Sequence, residues 1–461
     1  MKRPGDSREE QRGPTRVGFV SLGCSKNLVD SEVMLGHLDR AGCTLVTDPA
    51  EADVIVVNTC AFVESAREES IQAILEAARF KETGRLRRLV VAGCLVQRSA
   101  KDLAKSLPEV DAFVGLDDLH LVSAAAGLEE PDAASSGGRP VLPAGRSTFL
   151  YDHQSPRRRA TAPWTAFLKI AEGCDHTCSF CAIPSFRGEF RSRRLGSILR
   201  EAGDLASSGV RELNLIAQDS SHFGRDLGIE DGLARLLHGL DEVEGLRWVR
   251  LHYLYPNTIT PSLIDAMASL PRVAKYVDMP LQHAHPDTLR RMRRGGGARS
   301  HHELLDRFRS AIPDVALRTT LIVGFPGETD EEFDTLLRFV EEERFQHLGV
   351  FPYSHEEGTS AGTLADDVAP EVKEERRSRL MEAQQRIARE HGAGMIGRVV
   401  EVLVEGAHPE TEHLLAGRMS TQARDVDGGI LINEGTAAPG EFVRVEITDV
   451  AGYDLVGRVL A

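Results

Sequence analysis

Three cysteines crowd into eight residues of this chain: Cys174, Cys178 and Cys181, in the stretch CDHTCSFC. Thiols that close together can serve a zinc ion, a disulfide or an iron–sulfur cluster. Structural zinc takes four ligands, usually as two close pairs. Here the spacing is CxxxCxxC, no fourth cysteine lies nearby, and His176 inside the loop is the remaining candidate. A disulfide suits a secreted chain better. A four-iron cube held by three thiolates would leave one iron open to a substrate. The loop by itself does not choose among the three.

A second set of cysteines is scattered in sequence but not in pattern. VGFVSLGC ends in Cys24, ADVIVVNTC in Cys60 and RRLVVAGC in Cys94. Each is a short apolar run, and the stretches between them have helical spacing, as in NLVDSEVMLGHLDRAG and VESAREESIQAILEAARF. Apolar runs alternating with amphipathic helices predict parallel strands between helical layers. Ligands bind outside the carboxyl ends of such strands, so Cys24, Cys60 and Cys94 are expected to meet on one rim. Three unrelated buried cysteines would be the plainer account, since burial is common for this residue. The seventh, Cys43 in RAGCTLV, lacks that position and reads as structural.

From Trp164 the alternation resumes. Strands are expected in TAFLKIAEGC, RELNLIAQD, LRWVRLHYLYP, AKYVDMPLQH, LRTTLIVGFP and HLGVFPYS, with helices between. Six such units suit a doubly wound sheet or a curved, incomplete barrel, and the CxxxCxxC loop follows the first strand, on the rim where barrel active sites are built. After the charged helix PEVKEERRSRLMEAQQRIAREHG, short strands broken by Gly, Pro and Asp predict a small all-β barrel. The Pro/Gly/Ser/Ala-rich stretch EEPDAASSGGRPVLPAG reads as a linker.

A length of 461 residues suits about three domains. No run approaches the ~18 apolar residues of a membrane span, and the opening MKRPGDSREEQRGPTR lacks the apolar centre of a signal peptide. A cytoplasmic protein is expected, with cysteines as ligands or buried thiols. The formal charge of −15 argues against general nucleic-acid binding.

With the cysteines placed, EGCDHTCSFCAIPSFRG resembles the cluster loop of radical S-adenosylmethionine enzymes. Together with the three strand-end cysteines and the terminal β-barrel, the chain is similar to the radical methylthiotransferases from about Val17 to Ala461. VGFVSLGCSKNLVDSE, LHYLYP, DMPLQH and CAIPSFRG resemble the branch that modifies a ribosomal protein. The resemblance implies an α/β chain: a disordered tail over 1–14, an N-terminal methylthiotransferase domain over 15–126, a linker over 127–160, a radical core built as a partial (βα)6 barrel over 161–392, and an all-β TRAM barrel over 393–461. It implies a [4Fe–4S] cluster on Cys24, Cys60 and Cys94, the source or carrier of inserted sulfur, and another on Cys174, Cys178 and Cys181. The open iron of the latter would chelate S-adenosylmethionine, whose reductive cleavage yields a 5′-deoxyadenosyl radical. The implied product is an aspartate of small-subunit ribosomal protein S12 methylthiolated at its β-carbon. An electron donor is required, and neither a membrane nor tRNA is an expected partner. The alternatives are tRNA adenosine as substrate or, in another class, a non-enzymatic iron–sulfur carrier or redox sensor.

Phe180 matches the family position whose backbone meets the adenine, and Gly324 in LIVGFPGET matches its adenine-binding strand; simple packing for the one and a turn for the other are the competing accounts. Gln218 and Asp219 read as solvated loop residues, Gln282 and His283 as a strand end with a structural histidine, and RRMRRGGGARS as a solvated basic run. From Ala393 onward, eleven acidic side chains face five basic ones. Such a barrel would repel RNA phosphates and attract a basic protein.

Overall fold

The computed structural model describes residues 13–129, 143 and 145–460. Contacts divide the chain into two compact units. One comprises the N-terminal part through Ala160, joined by Gly173–Asp175 and Ala182–Glu189; the other holds the rest.

The first unit is built on a parallel sheet of β1 (Arg16–Ser21), β2 (Thr44–Val46), β3 (Val54–Thr59), β4 (Arg88–Gly93) and β5 (Ala112–Val114), in the order β2-β1-β3-β4-β5. Every residue of β3 is buried. That is why Val54–Val57 is apolar throughout: alternate residues feed two separate cores, Ile55 and Val57 on one face, Val54 and Val56 on the other. Helices α1 (Ser25–Arg40), α2 (Glu64–Ala78) and α3 (Cys94–Ser106) follow β1, β3 and β4, and α4 (Ile183–Arg187) joins the unit from far along the chain.

Of the tail expected over 1–14, residues 1–12 lie outside the described residues, as do 130–142 and 144 of the expected linker. From Gly145 to Ala160 the chain is not a free linker. Asp117 accepts hydrogen bonds from the Ser147 hydroxyl (2.8 Å) and the Thr148 and Phe149 amides (2.7 Å each). Glu32, fully buried on α1, pairs with Arg157 at 2.6 Å and accepts from the Ala160 amide at 2.8 Å. Pro and Gly content reports backbone freedom; here a buried carboxylate needs partners, and this segment supplies them.

In the second unit, β6 (Thr165–Lys169) leads to a two-residue hairpin, β7 (Ala171–Glu172) with β8 (Arg191–Ser192). β6 then pairs in parallel with β9 (Glu212–Ile216), and β9 with β10 (Trp248–Leu251). β11 (Tyr276–Asp278), β12 (Ala316–Val323) and β13 (His347–Pro352) form a second parallel set, and a Val249–Val273 bridge links the two. The six expected strands therefore run in sequential order, as in an incomplete barrel and not a doubly wound sheet. Helices α5 (Leu195–Ser207), α6 (Gly232–Asp241), α7 (Pro261–Ser269), α8 (Ala298–Ala311), α9 (Asp330–Glu343) and α10 (Pro370–Ala393) connect or close the set. A closed all-β barrel follows, β14 (Val399–His408), β15 (Thr411–Arg418), β16 (Ile430–Glu434), β17 (Phe442–Ala451) and β18 (Asp454–Val459), ordered β14-β15-β16-β18-β17. No helix among the described residues is long and apolar enough to cross a membrane.

The link between β15 and β16 is fastened to the six-strand core by buried charge. Arg418 donates to Glu212 of β9 (2.8 Å), which also accepts from Arg250 of β10 (3.1 Å); Arg250 reaches the Ser420 carbonyl (2.7 Å), and Tyr276 donates to Asp427 (2.8 Å). Burial alone would raise the Glu212 carboxyl, but Arg418 and Arg250 overcome it and hold it well below the usual carboxylate range. Removing one partner strands the other in low dielectric. Arg418→Ala should therefore cost about 3–5 kcal/mol, read from denaturant melts; a loss below about 1 kcal/mol would mean that the pair is effectively solvated.

A pH dependence arises on α8. His301 is 2% exposed, and burial, then the charges of Arg294 and His283, push its imidazole down to about 4. The unfolded chain takes up this proton near 6.5, the native chain only near 4, so neutral His301 is compatible with full stability above 6.5. Stability falls as pH drops from 6.5 towards 4, by on the order of 3 kcal/mol from this group. His301→Gln should flatten that part of the profile; parallel wild-type and variant profiles would contradict it.

Candidate metal centres

The sheet order places β1 and β3 side by side while their crossovers diverge, which makes their carboxyl ends the switch point where open α/β sheets bind ligands. Cys24 caps α1 just after β1, Cys60 follows β3, and Cys94 opens α3 just after β4. All three predicted residues thus lie on one rim. Two glycines let the turns close. Gly23 has φ +87°, and a Cβ on it would sit 2.9 Å from the Cys60 sulfur; Gly93 has φ +98°, and a Cβ there would sit 2.1 Å from Asn58 Oδ1. Asn27 on α1 ties the turns together by donating to the Leu22 carbonyl (2.7 Å) and the Thr59 carbonyl (3.3 Å). Asn58 donates back to the Asn27 carbonyl (2.9 Å) and Ser31 (2.7 Å), and the Cys60 amide donates to Ser70 (3.0 Å).

The three thiols are free and electrostatically linked. Desolvation works to raise Cys24, but Lys26, Arg187 and the backbone amides of Asn27 and Lys26 overcome it and hold the thiol below its ordinary value. Burial raises Cys60, with the nearby Cys24 adding to the rise. Burial pushes Cys94 up to about 12, with Cys24, Asp30 and Cys60 adding and Arg187 opposing. A cation bound here must displace protons from Cys60 and Cys94, and the donor set is thiolate throughout. Among the described residues, the ligand groups gathered within 4.8 Å are His176–Asp219–His222 and His285–Asp287–Glu332. A donor set made of thiolates alone is one that an iron–sulfur cluster takes.

The CxxxCxxC loop follows the β7 strand. Gly173, at φ +80°, has no room for a Cβ beside the Glu189 carbonyl, and the Cys174 amide donates to the Gly188 carbonyl at 3.1 Å. Within the second unit, Ser179 is fixed on three sides. Its amide donates to the Met292 carbonyl (3.0 Å), its hydroxyl to the Arg291 carbonyl (2.8 Å), and its carbonyl accepts from the Ala361 amide (2.7 Å). The Cys181 amide closes a turn on the Cys178 carbonyl (3.2 Å). Arg294 lies 4.4 Å over the Tyr255 ring and points Nη1 at the Cys178 sulfur, 3.5 Å away. His176 stacks on Tyr255 (3.8 Å between centroids) and bonds Asp219 at 2.7 Å. Its Nε2 is thereby committed to Asp219. Thiols with a cationic donor beside them fit a thiolate-held cluster.

Several residues behave differently from their sequence reading. The basic run is not uniformly solvated: Arg294 serves Cys178, and Arg291 pairs with Glu332 at 2.6 Å. Asp219 is buried, and Gln218 donates to Glu172 at 2.6 Å, which also pairs with buried Lys169 at 2.7 Å. His283, read as a structural histidine, is fully buried and accepts the His285 amide at 3.0 Å, but its buried Nε2 has no hydrogen-bond partner among the described residues. Phe180 packs against the cluster of Met292, Phe325, Tyr353 and Ala361. Gly324 has φ +68°, and a Cβ on it would sit 2.2 Å from Lys373 Cγ. Asn27, Asn58, Arg187 and Arg294 escaped the sequence reading as site residues, because single polar residues carry no pattern until the fold says what they face.

Residues 16–115 match the Uncharacterized protein family UPF0004, 168–340 the Radical SAM superfamily and 396–460 the TRAM domain. The chain is similar to solved radical S-adenosylmethionine methyltransferase TsrM from Kitasatospora setae, with TM-score 0.52 and 15% identity over 86% of this chain and 79% of that one. That likeness is one of fold. Among curated proteins, the ribosomal protein uS12 methylthiotransferase RimO of Anaeromyxobacter sp. (strain K) is 54% identical, covering 97% of this chain and 94% of the relative. The protein of the same name from Geobacter sulfurreducens is 48% identical, covering 97% and 99%. Near-full-length identity of this order, on a chain whose two cysteine sets stand at strand ends, makes it a member of the ribosomal protein uS12 methylthiotransferase RimO family.

Proposed function

We propose that this chain is a radical S-adenosylmethionine methylthiotransferase acting in the cytoplasm, and that it replaces a hydrogen on the β-carbon of an aspartate in small-subunit ribosomal protein S12 by a methylthio group. The carrying observation is the meeting of Cys24, Cys60 and Cys94 at the switch point of a sheet in a chain that also bears the CxxxCxxC loop. A carrier or sensor needs no six-strand core beside them.

In this reading Cys24, Cys60 and Cys94 hold one [4Fe–4S] cluster, and Cys174, Cys178 and Cys181 another. When bound, these clusters and S-adenosylmethionine supply the radical, sulfur and methyl chemistry, driven by an external one-electron donor. The chain's own residues hold and orient. Ser179 pins the second loop, Arg294 offsets charge at Cys178, and His176 is kept on Asp219 and Tyr255. Phe180 and Gly324 flank the expected adenine region.

The β-barrel supports a protein substrate over tRNA. Its acids are not all available: Glu401 pairs with Arg247, Glu405 with Arg418 (3.0 Å), Glu446 with Arg458 (2.8 Å), and the Asp427 side chain is buried. Glu410, Glu412, Glu434, Glu441 and Asp449 are exposed, an acidic balance suited to a basic ribosomal protein. The test is incubation of the iron-loaded enzyme with S-adenosylmethionine, dithionite, and either S12 or tRNA, followed by mass spectrometry. Methylthio-aspartate in S12 is expected; methylthiolated tRNA with unmodified S12 would overturn the substrate.

A further inference from the structure

The cation that faces the first cysteine set is delivered by the second. Arg187 ends α4, six residues after Cys181 in the same loop. Phe186 of that short helix and its N-cap Ala182 pack in one core with Cys94, Leu95 and Val96, and the Phe186 carbonyl is held by the Ser147 amide at 3.0 Å. Gly188 turns the chain away at φ +79°. Arg187 is therefore locked where it stands, 3% exposed, with Nη2 3.0 Å from the Cys94 sulfur and 3.0 Å from Asp30 Oδ2. Of the cations near the set, it is the one whose charge acts on Cys24, Cys60 and Cys94 alike.

We infer that Arg187 is a positioning residue that sets the reduction potential of the cluster on Cys24, Cys60 and Cys94, through its charged N–H···S bond to Cys94, with Asp30 as the opposing charge. The inference rests on the reading that these three cysteines hold a cluster. Reduction adds one electron, taken from an external reductant, and no proton. The reduced cluster is more negative by one charge. A fixed guanidinium against a ligand sulfur stabilises that state more than the oxidised one, and a carboxylate does the reverse. Asp30 also holds the guanidinium in its orientation, as a charged pair with shared geometry does.

The experiment uses the full chain carrying Cys174→Ala, Cys178→Ala and Cys181→Ala, loaded with iron and sulfide, so that one cluster remains. Its potential is read by titration with reductant, followed by electron paramagnetic resonance. Arg187→Met should lower the reduced-to-oxidised ratio at a fixed potential at least tenfold, a negative shift of about 59 mV for a one-electron couple. Arg187→Lys should shift it less, and Asp30→Asn should shift it the other way. If Arg187→Met fails to load, the charge-balanced pair Arg187→Met with Asp30→Asn and the single Asp30→Asn decide. A mere packing role would give no opposed shifts. Unchanged potentials, or shifts of one sign, overturn the role of Arg187 alone. Absence of iron in the background protein overturns the cluster reading and this inference with it.

Discussion

Alanine in place of any one of Cys174, Cys178 and Cys181 is expected to reduce S-adenosylmethionine cleavage to background. In the proposed reading each thiolate would fill one iron site, and an iron without its ligand would be exposed to water and lost. His176 of the same loop is bonded through Nε2 to buried Asp219 and stacked on Tyr255, so moving it to fill the gap would expose that carboxylate. Arg294 would be left beside a gap in the Cys178→Ala variant. The fold should survive all three changes, because the loop is anchored by backbone bonds through Ser179 and Cys181, not by the sulfurs. The measurement is 5′-deoxyadenosine released under dithionite, beside a circular-dichroism melt. A native melt with wild-type release would contradict the ligand assignment.

The second large effect separates the two sets. A Cys24→Ala, Cys60→Ala, Cys94→Ala protein should lose about half its iron and all methylthio transfer, while continuing to cleave S-adenosylmethionine without coupling to product. The two behaviours part because the sets sit on different frameworks: one on the turns after β1, β3 and β4, the other on a loop pinned to Met292, Arg291 and Ala361. Replacing buried Cys60 and Cys94 by alanine removes little volume, and Asn27 still ties the turns, so stability should change by only about 1–2 kcal/mol. Iron analysis, 5′-deoxyadenosine and product mass are read on one preparation. Retained methylthio transfer would show that sulfur does not pass by way of this rim.

Much of this was written in local pattern. The three N-terminal strands could be read because each holds a short, largely apolar run, and because each stops at a turn followed by a helix-spaced stretch. The rim position of Cys24, Cys60 and Cys94 then follows from a rule about parallel sheets and needs no coordinates. The six strands of the core and the closing barrel were legible for the same reason: period, run length and Gly or Pro punctuation act over a few residues.

Which charges meet was decided by the tertiary structure. Arg187 lies 93 residues from Cys94, Arg294 lies 116 from Cys178, and Arg418 lies 206 from Glu212. Nothing in the immediate sequence distinguishes Arg294 from Arg293, which is exposed although it stands next to inward-facing Met292 in the same basic run. Likewise the stretch after Gly145, composed like a linker, becomes a strap because Glu32 is buried and must be paired. The sequence by itself determined β1, β3 and β4 with their cysteine ends, the six core strands and the succession of α/β and all-β parts, since these depend on periodicity; the short strands β2, β5, β7 and β8 carry too few residues for a pattern. The partners of the buried charges depend instead on which helix or loop is packed against which, and on the high cost of leaving a charge alone in low dielectric, a condition that acts only once the chain has folded.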